Sequence, residues 1–123
     1  MDAEAKDFNF KIVHVGVNCQ NDKEAFEAVR LMELFFGLPE NEGKRGKDSL
    51  YTGTTVEWLK SPGRGKHGHL AISTTDLEGA QTYLERMGMT FDPGSRKYTP
   101  DGRVLVIYAE QEIAGFAIHL LQE

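Results

Sequence analysis

Gly65-Lys66-His67-Gly68-His69-Leu70-Ala71-Ile72-Ser73 is the stretch on which the fold turns, because its second part repeats His14-Val15-Gly16-Val17 near the N-terminus. In both places a histidine opens an apolar strand, and a helical segment follows. An internal duplication is the direct reading, so the roles of His14 and His69 should correspond. Outward from this anchor, Phe10 to Cys19 alternates as a strand. Val13, Val15 and Val17 point to one face, and Ile12, His14, Gly16 and Asn18 point to the other. Asn21-Asp22 caps a helix whose apolar stripe is Phe26, Val29, Leu31, Met32, Phe35 and Phe36, stopped by Gly37-Leu38-Pro39. An exposed turn over 40–48 leads to short strands at 49–52 and 54–60.

Ser61-Pro62-Gly63-Arg64-Gly65-Lys66 is rich in turn formers and reads as a hinge. The order then repeats. A strand runs from His69 to Thr74, Thr75-Asp76 caps, and Leu77, Ala80, Tyr83, Leu84 and Met87 line a helix ending at Gly88. Met89–Phe91 follows, with turns at Asp92-Pro93-Gly94 and Pro100-Asp101-Gly102, then Val104–Tyr108 and a last strand Phe116–Gln122. The chain, 1–123, is expected to be a single domain: a first module over 8–60, a hinge over 61–67 and a second module over 68–123. Two such units predict an α+β protein with a cupped, mixed sheet and helices outside.

Composition narrows the function. With 123 residues and a formal charge of −5, the chain shows no clustered basic surface, which argues against nucleic acid and leaves a small anionic metabolite as the expected partner. One cysteine, Cys19, forms no internal disulfide and suits a reducing compartment. Neither a leader-like start nor an apolar run of membrane-spanning length is visible, so a cytoplasmic, membrane-free setting is expected.

Two polar residues interrupt apolar strands at equivalent places late in each half: Glu57 in Val56-Glu57-Trp58 and His119 in Ile118-His119-Leu120. A lone strand histidine is ordinarily structural. Three of them at positions related by a repeat, plus one carboxylate, instead predict a shared divalent site at His14, Glu57, His69 and His119. Such a nitrogen-rich set favours Zn²⁺, Ni²⁺, Co²⁺, Mn²⁺ or Fe²⁺ over Ca²⁺ or Mg²⁺. Lys60, Arg64 and Lys66 in the hinge, and Arg103 in the second half, are candidates to hold an anionic substrate, with Trp58 and Tyr108 as walls.

The order His14 strand, helix, Glu57 strand, then Gly68-His69 strand, helix, His119 strand resembles the vicinal oxygen chelate superfamily, which includes glyoxalase, methylmalonyl-CoA epimerase and extradiol dioxygenase. Within it, Lys66-His67-Gly68-His69, Lys97-Tyr98 and Gly115-Phe116-Ala117-Ile118-His119 resemble the domain appended to some bacterial 2-dehydro-3-deoxyphosphogluconate aldolases. No aldolase barrel is present, so Schiff-base chemistry is not expected. The resemblance implies two βαβββ modules around an open metal site, often in a homodimer. It also implies a lyase or isomerase acting on a small 2-oxo or 2-hydroxy acid or sugar-acid derivative, chelated through adjacent oxygens. Glu57 or His119 would then move the proton. The usual last-strand ligand of the superfamily is glutamate, and His119 in its place makes the site about one charge more positive. The alternative is a non-catalytic binding or sensing protein of the same fold. A cupin, suggested by His67-x-His69, is disfavoured by the two helices within a repeat.

Overall fold

The structure, a computed structural model, describes residues 2–123, so Met1 of the expected 1–123 domain lies outside them. Seven strands and two α-helices follow in order: β1 (Lys11–Asn18), α1 (Asp22–Phe36), β2 (Ser49–Thr52), β3 (Val56–Leu59), β4 (Gly68–Thr74), α2 (Leu77–Arg86), β5 (Phe91–Tyr98), β6 (Val104–Ile113) and β7 (Phe116–Gln122). They form one mixed sheet in the order β2-β3-β1-β4-β7-β6-β5. This is the expected α+β class, with the helices packed on one face.

The sheet order is nearly symmetric about the antiparallel pair β1–β4. On either side of it lies a parallel neighbour, β3 beside β1 and β7 beside β4, and each neighbour pairs antiparallel with the next strand out. In the first half, the single bridge between Glu40 and Thr52 stands outside β2, whereas the second half has the full strand β5 at its edge.

Local chemistry explains the helix ends. Asn21 Oδ1 accepts the Glu24 N–H at 2.9 Å, and Asp76 Oδ1 accepts the Gly79 N–H at 3.1 Å. Gly37 closes α1 in the left-handed region at φ 67°. The main core lies under α2, where Leu77, Ile107 and Leu120 are fully buried with Phe8, Phe91 and Ile118 around them. A smaller one under α1 contains Cys19, Ala25, Val29 and Leu50. Each buried Leu or Ile contributes on the order of 2 kcal/mol.

Three local expectations change. The register of β1 shifts between Ile12 and His14, which pairs Ile12 with Ile72 and leaves Val13 as the extra residue. Ile12 therefore faces away from His14, because a bulge of one residue inverts the alternation. Asp92-Pro93-Gly94 is not a turn between strands but an irregularity inside β5, where Asp92 Oδ1 accepts the Gly94 N–H at 2.9 Å. Finally, the stripe of α1 is only partly used. Phe35 and Phe36 are 68% and 69% exposed, since a 15-residue helix outruns the four-residue strands β2 and β3 beneath it. Among the described residues, no helix is long and apolar enough to cross a membrane.

Candidate metal centre

Strand register places the four expected ligand positions on the face of the sheet away from the helices. One row of paired residues runs Tyr51, Glu57, Gly16, His69, Ala117 across β2, β3, β1, β4 and β7. The adjacent row runs His14, Ala71, His119, Tyr108 across β1, β4, β7 and β6. Each histidine is therefore flanked in its row, or two positions along its own strand, by Gly16, Ala71 or Ala117. These small residues make room for the rings: a Cβ built on Gly16 would fall within the His69 imidazole, 2.6 Å from Nε2.

His14, His69 and His119 each offer one ring nitrogen to a group whose members lie within 4.8 Å of one another. His14 Nε2 and His69 Nε2 are 3.2 Å apart. Glu57 Oε1 completes a tight triangle with them, 3.4 Å from His14 Nε2 and 3.2 Å from His69 Nε2. Donors about 2.1 Å from a common ion are separated by about 3.4 Å in a tetrahedral arrangement, so these three edges have the dimensions of a coordination sphere. His119 is set apart chemically. Both of its ring nitrogens are buried without a hydrogen-bond partner in the described residues, and its orientation comes from stacking on Tyr108 at 4.6 Å and 22°. A buried polar atom left in that state costs about 1–3 kcal/mol, which a metal ion would remove.

The electrostatics are those of a largely buried cluster around one carboxylate. Burial pushes the Glu57 carboxyl up, but hydrogen bonds with His14, His69 and Ser49 outweigh it and hold the group well below the usual carboxylate range. The Ser49 hydroxyl donates to Oε2 at 2.8 Å. His119 is pushed down to about 3, first by burial and then by its imidazole neighbours His69 and His14, so the ring is neutral and able to donate a lone pair. Tyr51 is raised to about 12 by burial and by the charge of Glu57, and Tyr108 is raised for the same two reasons.

The candidate substrate residues divide. Tyr108 belongs to the cluster, as its contacts with His119 and, edge-on at 6.3 Å, with His69 show. Arg64 lies over the Tyr108 ring, 4.8 Å from its centroid, and its Nη2 donates to Asp92 Oδ2 at 2.6 Å. Lys66 is exposed, with its backbone N–H on Glu112. Trp58 does not reach the histidines: it pairs with Val17, packs beside Ala25 and Leu50, and donates Nε1–H to Thr52 Oγ1. It follows Glu57 by one residue and so takes the opposite face. Lys60 Nζ turns to the Gly46 carbonyl and the Phe26 ring, on the α1 side. Arg103 pairs with Asp101 in the β5–β6 turn, five residues from Tyr108 and hence roughly 17 Å along the strand direction.

Sequence reasoning missed Tyr51, Ser49, Asn18 and Asp92. Tyr51 meets His14 edge-on at 5.8 Å. The alternation Ser49-x-Tyr51 on β2 hinted at a shared face, but only the pairing of Tyr51 with Glu57 identifies which face it is.

No protein-family model and no curated protein matches the chain. Solved structures do. A hypothetical protein from Bacillus halodurans C-125 aligns at TM-score 0.62 with 16% identity, over 94% of this chain and 95% of its own. A variant of Streptomyces coelicolor methylmalonyl-CoA epimerase, in complex with 2-nitronate-propionyl-CoA, aligns at 0.59 with 14% identity, over 92% and 96%. Methylmalonyl-CoA epimerase from Mycobacterium tuberculosis aligns at 0.56 with 16% identity, over 90% and 86%. At such identities the likeness is one of architecture, and it shows that this chain has the glyoxalase-type fold that methylmalonyl-CoA epimerase shares.

Proposed function

We propose that residues 8–60 and 68–123 are copies of one unit joined by the hinge 61–67, and that together they hold a divalent transition metal through His14, Glu57, His69 and His119. The observation that carries this is the grouping of three imidazoles, one of them with both nitrogens orphaned and the other two in contact with the Glu57 carboxylate. The donor set suits Zn²⁺, Ni²⁺, Co²⁺, Mn²⁺ or Fe²⁺. When bound, such an ion would supply Lewis acidity toward two adjacent substrate oxygens.

The chain's own residues would do the rest. Tyr51 and Tyr108 wall the cluster, and their raised phenols stay protonated as hydrogen-bond donors. Glu57, ionised, or His119, neutral, would accept a proton from a carbon beside the chelated oxygens. That chemistry makes the protein a lyase or isomerase for a small 2-oxo or 2-hydroxy acid. The likeness of its motifs to the aldolase-appended domain makes sugar-acid derivatives the first compounds to try. Fold neighbours that are epimerases, one of them in complex with methylmalonyl-CoA, support the isomerase side of this reading. We place the protein in the cytoplasm as a homodimer, for which the exposed Leu34, Phe35, Phe36 and Leu38 offer an interface.

Elemental analysis of purified protein, with His69→Ala and His119→Ala, tests the centre: about one metal per chain is expected, lost in each variant. Solvent deuterium exchange into a panel of oxo and hydroxy acids tests the chemistry. Absence of stoichiometric metal refutes the centre. Metal without exchange or turnover selects a binding or sensing role.

A further inference from the structure

Arg64 sits in a hinge, where charge is ordinarily solvated, yet it is fastened over Tyr108, the ring stacked on His119, from several parts of the chain. Its guanidinium lies 4.8 Å from the Tyr108 centroid. The same phenol stacks on His119 at 4.6 Å, so Tyr108 links the guanidinium to the histidine cluster. The backbone on both sides of Arg64 is held by one side chain: Asn18 Oδ1 accepts the Gly63 N–H at 3.0 Å, and Asn18 Nδ2 donates to the Gly65 carbonyl at 2.9 Å. Asn18 stands two residues beyond Gly16 on β1. Gly65 adopts φ +87°, and a Cβ there would lie 2.7 Å from the Ala117 nitrogen and closer still to the Gly68 carbonyl. The loop is thus pressed against the starts of β4 and β7 with no slack.

The partner of Arg64 is fixed as well. Asp92 is held in the β5 irregularity, where its carbonyl accepts the Ser95 hydroxyl at 2.6 Å, and Ser95 Oγ in turn accepts the Tyr108 N–H at 2.8 Å. The Arg64–Asp92 contact is a single N–H···O bond through Nη2, and both side chains are partly exposed. The remaining donors of the guanidinium have no other protein partner among the described residues.

We propose that Arg64 is the receptor for a second anionic group of the ligand, which makes the substrate class a short dianion. One end chelates at the histidines, and a distal carboxylate displaces Asp92 from the guanidinium. The proposal rests on the metal-centre reading above and narrows it. A planar guanidinium offers a carboxylate two parallel bonds in place of the one it makes to Asp92. Its preset position also lowers the ordering cost of binding.

The test titrates Co²⁺-loaded protein with 2-oxoglutarate and with 2-oxobutyrate, which share a chelating head and differ in the distal carboxylate, following cobalt absorption and calorimetry. The affinity ratio is expected to favour 2-oxoglutarate on the order of tenfold, a magnitude reduced by the partial exposure of the site. Arg64→Gln brings the ratio to about one, and Arg64→Lys recovers part of it, with cobalt stoichiometry and the thermal midpoint as folding controls. A ratio near one in the parent protein, or an unchanged ratio in Arg64→Gln, overturns the assignment of Arg64. Failure to take up cobalt, or cobalt spectra that neither oxo acid perturbs, overturns instead the metal-centre reading on which it rests.

Discussion

Gly16→Ala adds one methyl group and removes no ligand, yet it should empty the centre. The backbone at Gly16 is ordinary strand, so alanine brings no torsional penalty there. Its Cβ, however, would occupy the space of the His69 ring, 2.6 Å from Nε2 and nearer to Cε1 and Nδ1. His69 is 4% exposed and enclosed by β1, β4 and β7, so the ring has no open volume into which to swing. Overpacking of this kind costs about 1–3 kcal/mol. Moving one imidazole out of the proposed four-donor set also breaks its contacts with His14 and Glu57. Disturbing only the residues that support a ligand already weakens metal binding about 10–100-fold, so the loss here should be at least at the upper end of that range. Urea denaturation of metal-free protein and a Zn²⁺ competition titration measure the two effects separately. Gly46→Ala, where a Cβ meets nothing closer than the Ser49 carbonyl at 3.9 Å, is the control and should leave both unchanged within about 1 kcal/mol. Parent-like stability and Zn²⁺ affinity in Gly16→Ala would show that His69 does not lie across Gly16, and the site as built from strand register would be wrong.

Acid should destabilise the metal-free protein earlier than carboxylate titration alone would do. His119 is pushed down to about 3, so below its unfolded value near 6.5 the unfolded chain binds a proton that the folded chain refuses. Stability from this group is complete above 6.5 and falls by about 1.4 kcal/mol per pH unit as pH drops toward 3. Urea midpoints between pH 6.5 and 4.5 should show that slope in the parent and a flatter line in His119→Gln; identical slopes count against a buried neutral ring. Ser49→Ala removes the 2.8 Å bond to Glu57 Oε2 and should weaken Zn²⁺ binding about tenfold in the competition titration, with the Glu57 carboxyl moving back up toward its ordinary range. Ile107→Ala, in the fully buried core under α2, should cost about 2–5 kcal/mol by denaturation while the Zn²⁺ affinity of the folded protein stays at the parent value, because Ile107 faces away from the histidines.

What could be read without coordinates was whatever depends on neighbours in the chain. Alternation placed His14, Glu57, His69 and His119 in strands, Asn21 and Asp76 were legible as caps, and the recurrence of His14-x-Gly16 as His69-x-Ala71 pointed to two like halves. The same local reasoning misplaced Ile12, since a one-residue bulge leaves no mark in composition and yet reverses every side chain beyond it. It also gave Trp58 and Lys60 to the ligand face. Their placement toward α1 follows from standing one and three residues beyond Glu57 on β3 and its end, both odd steps, once the direction of Glu57 is known.

Tertiary structure alone decided which residues stand together. The pairings of Tyr51 with Glu57, Gly16 with His69 and Tyr108 with His119 join residues 6 to 53 positions apart, and register between strands is set by the packing of whole faces rather than by any pair of residues. The same holds for Arg64: composition marked it as one charge among several in a turn-rich hinge, and only the folded chain brings Asn18 to the two glycines beside it and Tyr108 beneath its guanidinium. Side-chain type and spacing specify which chemistry is available, because they act within a strand or a turn. Distances of 3 to 5 Å between groups remote in the chain arise only when burial of both cores closes the sheet around them.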